Sequence, residues 1–434
     1  MSSITGSTLA PGDHGTHVTP REIAVGVIIG RIGEFFDFFV FGIASVLVFP
    51  ALFFPFASTY EGLYYSFIIF GFGFVGRVPG AILFRLIHDR YGRATKLTGA
   101  LFLLGTSTVA IAFLPGFEEI GATAIWLLTA LRIAQGIGVG GAWDGLPSLL
   151  AVTAPQQKKG WYAMIAQIGA PVGFCVAVAL FSYLYQSTSN KDFVDWGWRF
   201  AFFTAFAINV VTLFARLRMA VAPDFEALFS NRELTPSPLG ELFRKKSTSM
   251  LLGAFVPAAS YALFHLVSIF PLTWALLFPE EYSLEAVFTL QFIGGILCLL
   301  TMLISGKVAD RIGRTRTLGW GAVLILLFCL PAPFIGNTQF GGFAFVPAGF
   351  ALLGFSLAQA AGAINSSFES RYRYSGALLT SEFGWLLCAG FAPFIALVLA
   401  HKLGNAGVAL YLFSAAIATL GALWLNRARM KANE

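Results

Sequence analysis

Long apolar runs separated by short polar breaks dominate this chain. A helix that crosses a bilayer needs about 20 mostly apolar residues. Runs of that kind lie near 22–49, 60–84, 97–114, 122–150, 160–186, 199–219, 249–278, 284–305, 317–335, 341–367, 377–400 and 407–425. They predict twelve spanning segments, numbered here in chain order. Backbone groups in lipid must be satisfied within the segment, which favours helices. An outer-membrane barrel would instead show alternating segments of about ten residues. The predicted class is an all-α membrane protein.

The polar breaks carry two further signals. The longest, from about Ala220 to Ser249, holds Pro223, Pro236 and Pro238 among several charges and divides the segments six and six. The sequence LIHDRYGRATKL from Leu86 then recurs as KVADRIGRTRTL from Lys307, each after the second segment of its half. A repeat at matching positions predicts two related six-helix halves, with a binding site expected at the midplane between them. The expected organisation is an N-terminal tail over 1–21, helical bundles over 22–219 and 249–425, a central loop over 220–248 and a C-terminal tail over 426–434.

Charge sets the orientation. One set of breaks collects Arg21; Arg85, Arg90, Arg93 and Lys96; Lys158 and Lys159; Arg216, Arg218, Arg232, Arg244, Lys245 and Lys246; Lys307, Arg311, Arg314 and Arg316; Arg371 and Arg373; and Arg427, Arg429 and Lys431. The opposite breaks hold Lys191 and Lys402 beside Glu118, Glu119, Glu280, Glu281 and Glu285. The positive-inside rule then places the basic set and both termini in the cytoplasm. Residues 1–20 lack an apolar core, so no cleaved signal peptide is expected.

Composition narrows the function. With 57% hydrophobic and 12% charged residues in 434, and a mean hydropathy of +0.76, the chain is matched to lipid as its solvent. Its 28 Lys and Arg are scattered singly and form no stripe that could track phosphates, so no nucleic-acid partner is expected. Cys175, Cys298, Cys329 and Cys388 lie within apolar segments without metal-ligand spacing; neither metal, disulfide nor cofactor is expected. No ordered nucleophile and base and no phosphate loop suggest an enzyme.

The paired loops read Asp89-Arg90-Tyr91-Gly92-Arg93 and Asp310-Arg311-Ile312-Gly313-Arg314. Glycine at the bend can take the left-handed conformation that ends a helix, and arginine suits the negative end of a helix dipole. Each Asp can pair with a nearby Arg or with the N-terminus of a neighbouring helix, forming a latch that favours one conformation.

With these motifs the chain resembles the metabolite:proton symporter branch of the major facilitator superfamily, which includes proline/betaine, alpha-ketoglutarate, citrate and shikimate transporters. The resemblance rests on Glu34-Phe35-Phe36-Asp37-Phe38, Gly76-Arg77 and the first DRxGR loop. It continues through Arg132-Ile133-Ala134-Gln135-Gly136, Val139-Gly140-Gly141, Lys159-Gly160-Trp161-Tyr162 and Trp196-Gly197-Trp198-Arg199. It ends with Arg371-Tyr372-Arg373-Tyr374-Ser375-Gly376 and Gly390-Phe391-Ala392-Pro393-Phe394. It implies the major facilitator fold, transport by alternating access, and gating roles for the loop residues together with Arg371 and Arg373. Four positions depart from the pattern. Ala142 stands where that family has Glu, Arg31 where Asn is common, Glu382 where Gln or Asn is common, and Arg85 where the loop motif begins with Gly.

Ionisable residues inside the segments supply the candidate chemistry. Arg31, Glu34 and Asp37 recur every three residues, and a lipid-facing placement would cost several kcal/mol each. They are expected to line an interior cavity, either as a self-neutralising structural cluster or as a proton acceptor beside an anion-binding Arg31 or Arg77. Arg132 and Gln135 precede a glycine run that permits close helix contact; the resemblance associates such an arginine with proton coupling. Asp144 and Glu382 are the acids that can stand in for the one missing at Ala142. His265 is read as a proton site or an interhelical hydrogen-bond partner, and Gln167 and Asn365 as polar cavity positions. The leading expectation is proton-coupled symport of an organic acid or zwitterion across the inner membrane by a monomer. Proton-independent uniport or exchange is the alternative, followed by a non-transporting sensor of the same fold.

Overall fold

A computed structural model describes residues 20–142, 146–220, 237–331 and 339–433, and among these the ordered elements are helices. Nine helices among the described residues are long and apolar enough to cross a membrane. The longest, Thr59–Ala112, contains two spans joined at Gly92. Pro20–Leu47 and the shorter Arg314–Cys329 complete a set of twelve. In chain order they are α1 (Pro20–Leu47), α2 (59–91), α3 (93–112), α4 (Ala122–Gly141), α5 (Gln156–Ser187) and α6 (Asn190–Leu217). The second half comprises α7 (Leu239–Leu277), α8 (Leu284–Ile312), α9 (Arg314–Cys329), α10 (Gly341–Asn365), α11 (Ser370–Leu403) and α12 (Asn405–Met430). The fold is a twelve-helix bundle in two pseudo-symmetric halves.

Three boundaries differ from the expectation for physical reasons. The fourth segment, expected over 122–150, ends at Gly141, and a separate short helix, Leu146–Thr153, follows. The seventh begins at Leu239 because its first turns form a polar stretch that hydropathy alone passes over. Its path is then broken at Pro257 and Pro271, where proline supplies no amide donor. The helices of the second and third segments run on into the DRYGR loop, where Gly92 at φ 82° makes the turn, as Gly313 does at φ 94° between α8 and α9. Both have ψ near the extended value, 173° and 150°, a combination that only glycine adopts readily.

Two packing devices shape the interior. Glycines bring α2 and α4 into backbone contact: a Cβ at Gly136 would strike the Gly73 carbonyl, and one at Gly140 would strike that of Arg77. Small residues play this part where lipid gives no hydrophobic drive to helix association. The second device is aromatic. Phe35, Phe39, Phe174 and Phe264 interlock between the halves, with Phe39 and Phe174 ring centroids 4.8 Å apart and those of Phe39 and Phe264 5.3 Å apart. Large apolar side chains such as Phe102, Trp126, Phe214 and Leu410 lie exposed around the outside, as expected where lipid is the solvent.

Candidate functional site

A wide turn in α11 helps to build the site. The Gly390 amide reaches back five residues to the Trp385 carbonyl, at 2.8 Å, and such π-type bulges recur at functional positions. Trp385 stacks on Tyr261 of α7 at 4.1 Å and stands beside Arg77 of α2, whose Cζ lies 5.6 Å from the ring. One turn of α11 earlier, Glu382 faces the same arginine. Arg77 donates from Nε to Glu382 Oε2 at 2.5 Å and from Nη2 to Oε1 at 3.3 Å, a two-point pairing across the halves. Glu382 is buried and Arg77 nearly so.

A second charged group adjoins this pair. Arg31 Nη1 donates to both oxygens of Glu34, each at 2.9 Å, and Arg31 Nε reaches the Ala166 carbonyl in α5 at 3.4 Å. Arg216 of α6 places Nη2 3.9 Å from Glu34 and donates from Nη1 to the Ala142 carbonyl at 3.1 Å. The two pairs line a cavity of about 50 Å³ with Gln167, Ser148, Asn365, Tyr261 and Trp385. Ser148 Oγ donates to Asn365 Oδ1 at 2.8 Å, another bridge between halves. Gln167 is buried and its Oε1 accepts no hydrogen bond.

Asp37 lies on a different branch. It accepts from Thr108 Oγ1 at 2.6 Å and Asn209 Nδ2 at 3.0 Å. Gln135 Nε2 donates to the same Thr108 oxygen at 2.8 Å, and Arg132 Nη1 donates to Gln135 Oε1 at 3.2 Å. Arg132, Gln135, Thr108 and Asp37 therefore form one buried hydrogen-bonded chain through α4, α3 and α1. Arg132 also stacks over Phe41, its Cζ 3.8 Å from the ring centre. A smaller cavity of about 30 Å³ touches Asp37, Arg132 and Gln135 on one side and Glu34, Arg77 and Trp385 on the other. Thus Glu34 belongs to both cavities, while Arg31 and Asp37 are drawn to different partners.

His265, fully buried in α7, sits among Phe38, Phe70, Phe74 and Phe264, with centroid distances of 5.2–5.8 Å. Neither ring nitrogen has a hydrogen-bond partner, so the interhelical hydrogen bond foreseen for it is not made. Asp144 lies outside the described residues.

The loop motifs occupy the basic face. Asp310 Oδ1 accepts from the Gly160 and Trp161 amides at 2.8 and 3.0 Å, capping the start of α5 across the halves. Gly160 makes this approach possible, since a Cβ there would lie 2.8 Å from the Asp310 amide. Asp89 pairs instead with Arg85, four residues before it. Arg314 is buried and donates to Ser366 Oγ at 2.9 Å. Arg371 and Tyr372 converge on Glu241, at 2.9 and 2.7 Å, while Arg373 Nη2 lies 3.5 Å from the Phe368 carbonyl. Arg90 stacks on Tyr91 at 5.4 Å, and Arg311 is exposed. On the opposite face Tyr60 meets His401 at 4.7 Å and Tyr64 meets Phe394 at 6.0 Å, so the halves touch at both ends of the bundle.

Sequence reasoning missed Arg216, Tyr261, Trp385, Thr108 and Asn209. Arg216 was assigned to the basic breaks although it lies inside its apolar run. The same signal, a polar residue within a span, marks Thr108 and Asn209.

Comparison with known proteins agrees with this architecture. The family model described as Major Facilitator Superfamily matches residues 74–382. The inner membrane metabolite transport protein YhjE of Escherichia coli K12 is 32% identical over 95% of this chain and 96% of its own length. The shikimate transporter of that strain is 30% identical over 91% of each, and its proline/betaine transporter 26% identical over 89% of this chain and 79% of its own. Among solved structures, a D-xylose-proton symporter superposes with a TM-score of 0.70 at 17% identity, covering 93% of this chain and 96% of its own.

Proposed function

Because this chain belongs to the major facilitator superfamily, we propose that it is a secondary transporter that carries a small carboxylate-bearing metabolite, an organic acid or a zwitterion, across the inner membrane with a proton. The observation that carries this reading is the two-point Arg77–Glu382 pairing across the halves, beside Arg31 and Glu34 in one cavity. An arginine fork matches a carboxylate, and a charged contact between moving bodies is one that each transport step must break and remake. The positive-inside rule assigns the basic face to the cytoplasm, which labelling of cysteines placed at Arg93 and Arg314 would test. The proposed halves are 22–219 and 249–425, joined by a central loop over 220–248.

Alternating access then follows from the contacts at either end. With Asp310 on α5 and Ser148 on Asn365, the halves meet at the basic face; with Tyr60 on His401 and Tyr64 on Phe394, they meet at the other. Releasing one set while keeping the other opens the cavity to one side. Asp37 suits proton traffic because its partners are neutral. The Thr108 hydroxyl donates to a carboxylate and can turn to accept from a carboxylic acid.

One observation favours proton-independent exchange. Ala142, which stands where the resembling family has Glu, is buried in an apolar cluster with Phe84, Leu97 and Leu101. Proteoliposomes decide between the two readings. Symport predicts accumulation of substrate under an inward proton gradient and its loss when the gradient is collapsed, with counterflow retained. Accumulation indifferent to the gradient would establish exchange, and the absence of any uptake or counterflow would refute transport.

A further inference from the structure

Between the charged cavities and the face opposite the basic one stands a layer of aromatic side chains, and His265 lies inside it. Along α7, His265 sits one turn beyond Tyr261, which lines the larger charged cavity, and before Phe270 and Thr273, which line a vestibule of about 290 Å³ with Tyr60, Trp274 and His401. Along α2, running the other way, Phe70 and Phe74 lie between Tyr60 at that vestibule and Arg77 at the cavity. The layer is built from both halves: Phe38 of α1 and Phe70 and Phe74 of α2 close on His265 and its neighbour Phe264 of α7. Glycine lets the halves approach at this level. A Cβ at Gly42 would lie 2.6 Å from Ile269 Cδ1, and one at Gly71 would strike the Phe391 ring.

Rings packed in this way exclude water, and apolar constrictions gate by dewetting. His265 is the polar member of the set. Its side chain is fully buried and neither ring nitrogen has a hydrogen-bond partner, although a neutral imidazole carries one donor and one acceptor. The closed layer therefore bears a desolvation penalty that nothing in it offsets. The same layer covers the Asp37 branch. Phe38 and Phe70, whose ring centres lie 5.6 and 5.3 Å from that of His265, stand 6.0 and 5.1 Å from Arg132 Cζ, and Phe38 and Phe74 line the smaller cavity that touches Asp37. Resting on the transport reading above, we propose that His265 is the wetting element of this layer, a positioning residue whose hydration favours opening towards the vestibule and so admits water, and with it a proton, to the Arg132–Asp37 chain. When the halves part at this level, water supplies both missing bonds of the imidazole and reaches Arg132 past the same two rings. When they close, the dehydration of His265 opposes the seal, so the layer shuts without locking. The role needs polarity at 265 and no change of charge there.

The test needs no substrate. Val139 lines both charged cavities, so Val139→Cys, in the full-length chain with Cys175, Cys298, Cys329 and Cys388 replaced by Ser, reports access through the layer when a membrane-impermeant maleimide is added at the face opposite the basic one. His265→Leu, close to histidine in volume, removes the penalty from the closed layer. Labelling is expected to fall roughly five- to hundredfold, the population shift that one unmatched buried polar group produces, and the Tm in detergent to rise. His265→Gln keeps a donor and an acceptor but does not titrate, and it is expected to label within about threefold of the parent, the spread of a typical single contact. Unchanged labelling in His265→Leu, or a fall accompanied by a lower Tm, would overturn the proposal. So would His265→Gln behaving as His265→Leu, since the imidazole itself and not its polarity would then be required. If His265→Leu fails to fold, the otherwise unsubstituted protein decides: diethyl pyrocarbonate is expected to carbethoxylate His265 as the layer opens, read by peptide mass, and complete protection over an hour would sink the idea. Because these measurements involve no metabolite, an inert His265 beside intact proton-driven accumulation removes the wetting role alone, whereas the absence of any uptake or counterflow removes the transport reading.

Discussion

Asp310, in the last turn of α8, and Asp89, in the last turn of α2, hold matching places in the repeated motif, yet they direct their charge at different partners. Asp310 crosses to the other half and accepts two amides at the start of α5. Asp89 stays on its own helix and pairs with Arg85. The residue four places before each Asp explains the difference. Before Asp310 it is Gly306, against which Trp161 packs closely: a Cβ there would lie 3.4 Å from the Trp161 Cα. Before Asp89 it is Arg85, which is buried and reaches on to the Ser237 carbonyl at 3.3 Å, while the Ser237 amide donates to Ser375 Oγ at 3.0 Å. The end of the central loop is thereby wedged between α2 and α11. A shared motif therefore specifies the turn, through Gly92 and Gly313, whereas the neighbour of the Asp specifies whether the turn becomes a latch between halves.

The largest break in this comparison is expected from Gly306→Arg. An arginine there collides with Trp161 and also offers Asp310 a partner on its own helix, as Arg85 offers Asp89. Overpacking of this kind costs about 1–3 kcal/mol, and the two amide bonds are lost as well. The basic-face-closed conformation should be depopulated more than by any substitution of Asp310 itself. The measurement is maleimide labelling of Ala361→Cys, a cavity residue, in a background with Cys175 replaced by Ser. Labelling from the basic face should rise strongly, and an unchanged rate would show that the Gly306–Trp161 approach does not hold the halves together.

Asp310→Asn should act in the same direction with a smaller effect. A carboxylate on amides at a helix start contributes about 1–2 kcal/mol, equivalent to roughly five- to thirtyfold in the closed-to-open ratio. Turnover is expected to fall by a similar factor, because the step that recloses the basic face is disfavoured. Substrate affinity should change little, since Asp310 lies on the basic face away from the charged cavity. A large loss of affinity at constant turnover would place Asp310 in the binding machinery instead.

These differences bear on what a sequence of this kind discloses. Spans, the repeated loop and the glycine bends were legible because each is encoded locally, as an apolar length, a recurrence or a positive φ. The partners of the intramembrane charges were not. Helices that meet lipid on one side and protein on the other are apolar all round, so periodicity gives little account of which face is turned inward. Arg31, Glu34 and Asp37 show the limit: spacing of three puts successive residues about 60° apart around a helix, enough to send Arg31 and Asp37 to different neighbours. Arg216 was hidden for another reason, since an arginine near the end of a span reads equally as a loop charge. Trp385 and Tyr261 carry no sequence signal that separates a cavity wall from core, and their roles follow from the wide turn in α11.

The smallest effect is expected at Asp89, where the repeat alone would forecast one equal to that at Asp310. Asp89 is half-exposed, with 51% of its side chain accessible, and its contact with Arg85 is between residues four apart on one helix. Pairs of that kind are worth about 0.3–0.5 kcal/mol. Removing the charge also leaves the buried Arg85 its bond to the Ser237 carbonyl, so the wedge of the central loop stays in place. Asp89→Asn should therefore alter turnover by less than about threefold, the conversion of that pair energy with a margin, and leave Ala361→Cys labelling near the wild-type rate. In an Arg85→Gly background, Asp89 loses its partner on the helix and is free to seek the other half. There Asp89→Asn should have the larger effect, measured as the ratio of turnovers with and without the carboxylate. Equal ratios in the two backgrounds would mean that Arg85 does not decide the behaviour of Asp89, and the contrast between the two loops would need another cause.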